Sequence, residues 1–187
     1  MKKFSIILGA IILVLFVTLV IWGVYCDNTI AIINYCVNNT KNDAKLKFVV
    51  ITDLHNKEYG EKNADLAELV KEQNPDFIAV CGDMVNRGDP DTTKMKDVLE
   101  KLSKIAPTYC CLGNHERDNA AKFGTDFKSE TNSTGAVLLD NEYIKFTKNG
   151  KSVLIGGMSD YPYYDFYTPD DDVPSRTLWE EFAEKAK

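Results

Sequence analysis

Three short apolar runs each give way to a polar cluster. Val49-Val50-Ile51-Thr52 leads into Asp53-Leu54-His55, Phe77–Cys81 into Gly82-Asp83, and Tyr109–Leu112 into Gly113-Asn114-His115-Glu116. Leu46–Ile51 is a β-branched run that reads as a strand buried on both faces. Lys62–Gln73 carries Leu66, Leu69 and Val70 at helical spacing and stops at Asn74-Pro75. Phe77–Cys81 reads as the next buried strand. Asp91 or Thr92 then caps a helix whose Met95, Val98, Leu99, Leu102 and Ile105 form one apolar stripe. Pro107 ends that helix, and Thr108–Leu112 is a third strand. A β-α-β-α-β series with connections of this length implies parallel strands and right-handed crossovers. Ligands of such sheets bind at the carboxyl ends of the strands, where all three polar clusters fall. Pattern, topology and residue chemistry therefore agree.

The pattern changes on either side of this series. Ala136–Leu139, Tyr143–Thr147 and Ser152–Ile155 read as strands, with Asn149-Gly150 as a primed hairpin turn. A loop rich in Tyr, Pro and Asp is expected over Tyr161–Pro174, and a helix from Thr177. Tyr161–Tyr167 is a candidate pocket lining, although such loops commonly just pack on a surface. At the other end, Phe4–Tyr25 has no charge and only Ser5 and Thr18 as plainly polar members. About 20 apolar residues suffice to span a bilayer. Trp22, Tyr25 and Cys26 stand where a cleaved signal would carry small residues, so the run reads as an uncleaved anchor. Lys2 and Lys3 precede it and Lys41 is the first cation after it, which leaves the N-terminus cytoplasmic and the domain on the outer face of the cell membrane. The organisation expected is an anchor over residues 1–27, a linker with an extended segment (Thr29–Val37) over 28–45, and one domain over 46–187.

Composition narrows the partners. A formal net charge of -6 without a Lys/Arg-rich stripe argues against nucleic acid as the main partner. Nothing in the sequence points to an oligomer. Five cysteines give no disulfide framework. Cys81, Cys110 and Cys111 fall in the strands as small apolar residues, and Cys110 and Cys111 should point to opposite faces. Asn38-Asn39-Thr40 and Asn132-Ser133-Thr134 fit a glycosylation pattern.

The polar clusters carry metal-ligand chemistry. Asp53 and His55 alternate along an extended segment, so both can grip one cation, and a carboxylate with an imidazole suits Mn, Fe or Zn rather than Ca. Asp83 has two oxygens with which to bridge two cations, and Gly82 before it lets the backbone turn closely. Asn114 offers a carbonyl oxygen, and His115 beside it can protonate a leaving oxygen. Arg87 can contact a phosphate oxygen or stand in an exposed ion pair. Alone, Asp-x-His and Gly-Asp are common and Gly-Asn-His-Glu is moderately specific, but the three in series are specific.

In this order, Asp53-Leu54-His55, Gly82-Asp83 and Gly113-Asn114-His115-Glu116 resemble the calcineurin-like metallophosphoesterases, over roughly Lys47–Glu116 and more weakly around Gly156-Gly157. The membrane-anchored start is similar to a bacterial branch of that family. The resemblance implies a four-layer α/β/β/α sandwich that hydrolyses a phosphoester substrate with two divalent metal ions. It places Asp53 and His55 on the first metal, Asp83 as the bridge and Asn114 on the second metal. His115 then serves as the acid, with Glu116 orienting it. The sequence departs from the pattern in having no histidine after His115, where the family carries a late Gly-His-x-His segment. The expectation is therefore a hydrolase domain incomplete at its C-terminus, a product of a truncated reading frame, weakly active or inactive as it stands. The rival reading is a non-catalytic, membrane-anchored interaction module on the same fold.

Overall fold

A computed structural model describes residues 2–37, 45–158 and 184, in two compact units, Met1–Asn38 and Asn39–Lys187. The first unit is a single helix, α1 (Lys2–Asp27), followed by a chain without regular structure to residue 37. Its apolar side chains from Phe4 to Tyr25 are exposed all round. At about 1.5 Å per residue its length exceeds the roughly 30 Å hydrocarbon core of a bilayer. Thr18, mid-helix, donates its hydroxyl to the Val14 carbonyl at 2.8 Å, so this polar group is satisfied within the helix. Helix α1 is thus long and apolar enough to cross a membrane.

The second unit is built on four parallel strands, β1 (Phe48–Ile51), β2 (Phe77–Cys81), β3 (Thr108–Cys111) and β4 (Val137–Leu138), in that spatial order. Phe48 pairs with Phe77, Ile78 with Thr108 and Tyr109 with Val137. Helices α2 (Ala64–Glu72) and α3 (Thr93–Ile105) make the first two crossovers, and α4 (Asn114–Phe123) with α5 (Phe127–Asn132) makes the third. Met95, Val98, Leu99 and Leu102 of α3 are buried, as the apolar stripe predicts. On the sheet, Ile78 and Val80 are buried with them. The hairpin β5 (Glu142–Lys148) and β6 (Lys151–Gly157) turns at Asn149-Gly150, both at positive φ, as a primed turn requires. It reaches the sheet through Phe146, whose ring lies 5.2 Å from that of Phe77, and through an ion pair between Lys148 and Asp76. Among the described residues the order is helices, parallel sheet, hairpin: a mixed α/β fold.

Three details correct the sequence reading. Strand β1 is not buried on both faces: it lies at the sheet edge, with Phe48 and Val50 about half exposed and only Ile51 buried. Cys81 is exposed rather than a core residue, whereas Cys110 is buried and Cys111 lies between. The helix expected from Lys62 begins at Ala64, because Lys62 and Asn63 both sit at positive φ, in a 3-10 turn. Of the two capping residues expected for α3, Asp91 serves, accepting a 2.9 Å bond from the Thr93 N–H, while the Thr92 side chain makes no cap bond. Helices α4 and α5 were not legible in the pattern. The segments 38–44 and 159–183, with the Tyr161–Tyr167 cluster and most of the C-terminal helix expected from Thr177, lie outside the described residues.

Candidate metal centre

The turns after β1 and β2 are laced together by backbone hydrogen bonds. The N–H groups of Asp53, His55 and Asn56 donate to the carbonyls of Gly82, Asp83 and Met84 at 3.2, 3.0 and 2.9 Å. This lacing holds Asp53, His55, Asn56 and Asp83 at positive φ, a costly conformation for residues with a Cβ and one that concentrates at functional sites. Two glycines make the close approach feasible. A Cβ on Gly82 would lie 2.4 Å from the Gly113 nitrogen, and one on Gly113 would lie 2.3 Å from Asp83 Oδ1.

The result brings the two histidine-bearing motifs, the first and the third, together across the sheet end. The rings of His55 and His115 stand 4.3 Å apart. One ligand atom each from His55, Asp83 and His115 lies within 4.8 Å of the others, and these residues are half-buried. His55 Nδ1 is buried and has no hydrogen-bond partner among the described residues. An orphaned imidazole nitrogen beside a carboxylate and a second imidazole fits a borderline divalent cation. His115 Nδ1 faces the Val85 carbonyl at 3.2 Å; if that nitrogen carries the proton, Nε2 keeps its lone pair.

The remaining expected residues are arranged around this trio. Asp53 is exposed, 3.5 Å from His55 Nε2, and accepts from the Thr52 hydroxyl at 2.7 Å. Asn114 lies at the start of α4 beside Asp83. With its amide oriented to satisfy both ends, its nitrogen donates to Asp83 Oδ1 and Oδ2 at 3.0 and 2.8 Å, and its oxygen accepts from Arg87 at 2.6 Å. Arg87 also stands 3.4 Å from Asp118 in a half-exposed ion pair.

Glu116 differs from its expected part. Its carboxylate is buried and accepts four backbone N–H bonds, from Asp83 (2.7 Å), Met84 (2.7 Å), Val85 (3.0 Å) and Gly113 (2.8 Å). It anchors the turn that carries Asp83, whereas His115 is oriented by Val85. A buried anion is tolerable only when its oxygens are satisfied in this way. Asn119, one turn further along α4, does the same for the following loop, donating to the Asp89 carbonyl at 2.6 Å. Sequence reasoning missed Asn119, whose signal would have been its spacing of three from Glu116 on one helix face.

At the same strand ends, the neighbouring Cys111 thiol holds the Cys81 thiol down at about 7, against the effect of burial. Cys111 is raised correspondingly, and burial pushes Cys110 up to about 12.

A parallel sheet with imidazole and carboxylate groups gathered at its strand ends defines an α/β protein with a candidate metal centre. The family model described as calcineurin-like phosphoesterase matches residues 46–187, and the chain belongs to that family. It is 28% identical over 120 residues to the uncharacterized metallophosphoesterase YkoQ of Bacillus subtilis, covering 63% of this chain and 44% of that protein. It is 30% identical over 119 residues to the phosphodiesterase YaeI of Escherichia coli, covering 62% and 44%. The chain thus spans less than half the length of these curated relatives. Among solved structures, phosphopantetheinyl hydrolase (PptH) from Mycobacterium tuberculosis aligns over 74% of this chain and 51% of its own, with 19% identity and a TM-score of 0.43.

Proposed function

We propose that this chain carries the metal-binding half-site of a divalent-metal-dependent phosphoester hydrolase held at a membrane by α1. The observation that carries this reading is the convergence of His55, Asp83 and His115 within 4.8 Å at the ends of parallel strands. Family membership supplies the reaction class. When bound, divalent cations would polarise the phosphoryl oxygens and lower the pKa of a coordinated water. His55 and Asp53 would hold one cation, Asp83 would bridge to a second, and Asn114 would supply the second with its oxygen after its amide turns from Arg87. Mn, Fe or Zn suits these donors. Glu116 fixes the Asp83 turn, and Arg87 stands where it can be drawn from Asp118 to a phosphate oxygen. Asp53, His55, Asp83 and Asn114, with His115 on the ligand reading, leave positions on two cations to water, so binding by these residues should be weak and turnover slow.

His115 has two roles open to it. As the acid it would protonate the leaving oxygen; as a ligand it would complete the trio with His55 and Asp83, a reading favoured by the 4.8 Å clustering. Substrate, phosphodiester or monoester, is a proposal on the same footing, and the similarity to the phosphodiesterase YaeI makes a diester the first to try. The anchor reading places the N-terminus in the cytoplasm and the domain on the outer face, supported by Lys2 and Lys3 before the helix.

Hydrolysis of bis(4-nitrophenyl) phosphate by the full chain in detergent with added manganese tests the function. Slow turnover that Asp83→Asn abolishes supports it. Manganese retention with no turnover of any ester would instead favour the non-catalytic interaction module.

A further inference from the structure

Cys81 and Cys111 are direct register partners on the neighbouring parallel strands β2 and β3. Strands in a sheet lie about 4.8 Å apart, inside the roughly 4.4–6.8 Å Cα separation that a disulfide spans. By strand alternation both side chains leave the same face of the sheet, opposite that of buried Cys110. Cys81 is exposed and Cys111 partly so, which gives a reagent access.

We propose that Cys81 and Cys111 form a reversible dithiol–disulfide site whose closure disturbs the paired turns carrying Asp83 and His115. The co-reactant is a low-molecular-weight disulfide. The more exposed Cys81 sulfur attacks one of its sulfurs and releases one thiol, leaving a mixed disulfide. Cys111 then attacks the Cys81 sulfur and displaces the second thiol. Two protein thiols are oxidised, the incoming disulfide is reduced to two thiols, and the thiol protons pass to the departing sulfurs. Registered Cβ atoms on parallel strands stand about as far apart as the strands, wider than the roughly 3.8 Å usual across a disulfide. Closing the bond must therefore draw the strand ends together, and a strained bridge of this kind is readily reduced.

The strain has nowhere to dissipate. One residue beyond Cys81, Gly82 meets Gly113 so closely that a Cβ would sit 2.4 Å from its nitrogen. Immediately after, Asp83, Met84, Val85 and Gly113 all hang from the Glu116 carboxylate. Drawing β2 toward β3 shifts these donors relative to Glu116, and it does so whether or not a cation binds.

The full chain in detergent is treated with oxidised glutathione, alkylated and digested with trypsin. The expected product links peptide 72–87 to peptide 105–117 with loss of two hydrogens, and reduction reverses it. It should form in Cys110→Ser and be absent from Cys81→Ser and Cys111→Ser. Amide hydrogen exchange at residues 83–85 should accelerate by about tenfold in the oxidised wild type and recover on reduction. Alkylation of both thiols without any 81–111 link would overturn the site. A link that forms with unchanged exchange at residues 83–85 would overturn its coupling to the turns. Neither readout uses metal, so failure here is distinct from failure of the hydrolase reading.

Discussion

Glu116 Oε2 accepts the backbone N–H of Asp83 at 2.7 Å, so the last residue of the third motif sets the position of the second. The contact joins β2 to α4 across a long sequence separation and is one of four that the buried carboxylate makes. Hydrogen bonds to an ionised acceptor contribute about 1.5–3 kcal/mol each, and orphaned buried donors cost comparable amounts. Glu116→Ala should therefore lower unfolding stability by about 3 kcal/mol or more, and Glu116→Gln by less because its amide keeps one acceptor oxygen. Thermal unfolding of both variants in detergent measures this. Equal stability of Glu116→Ala and wild type would remove Glu116 from the framework.

The glycines at the same junction give a second expectation. Gly82 has φ +73, and an added Cβ meets backbone at 2.4 Å; Gly150 has φ +76 with open space around it. Both lose glycine's freedom on substitution, about 1 kcal/mol, but only Gly82 adds a backbone clash. Gly82→Ala should cost clearly more than Gly150→Ala in urea unfolding. Similar midpoints for the two would mean that the turns after β2 and β3 do not touch.

Hairpin docking has a pH signature. Burial raises the Asp76 carboxyl, but its bonds to Lys148 and to the Lys47 N–H outweigh this and hold it below the ordinary 3.8. A depressed carboxylate contributes fully above that ordinary value, and its contribution fades as pH falls through the lower folded value. Asp76→Asn should thus lose about 1 kcal/mol at pH 7 and converge with wild type in acid. A constant gap down to pH 2 would contradict the linkage.

His115 can be assigned by comparing two readouts on one variant. If it is the acid, His115→Gln should keep manganese affinity while turnover falls about 100-fold or more. If it is a ligand, affinity and turnover should fall together. Equilibrium dialysis beside an ester assay separates them, and unchanged turnover would exclude both.

The sequence pattern served well where apolar residues set the period. Strand β2 and the hairpin turn at Asn149-Gly150 lie where the pattern puts them, and α3 follows its stripe from Met95 to Leu102. It failed at α4 for a physical reason: the residues this helix buries are Glu116 and Asn119, both polar, so no apolar period announces it. It also overstated β1, because Phe48 and Val50 are as apolar as core residues yet face outward at an edge. In the site, residue types were legible but roles were not. Glu116 reads as a partner for the adjacent His115, and only the fold shows it reaching back to Asp83, Met84 and Val85. Likewise Cys81 and Cys111 are far apart in the chain, and it is the register that makes them neighbours.

The most direct test is manganese binding by the full chain in detergent, by equilibrium dialysis, for wild type and Asp83→Asn with unfolding checked in parallel. A cation held among His55, Asp83 and His115 predicts saturable binding by wild type, weakened at least about tenfold by losing one carboxylate ligand in a folded variant. Equal affinity in the two proteins would show that no metal centre assembles at these strand ends.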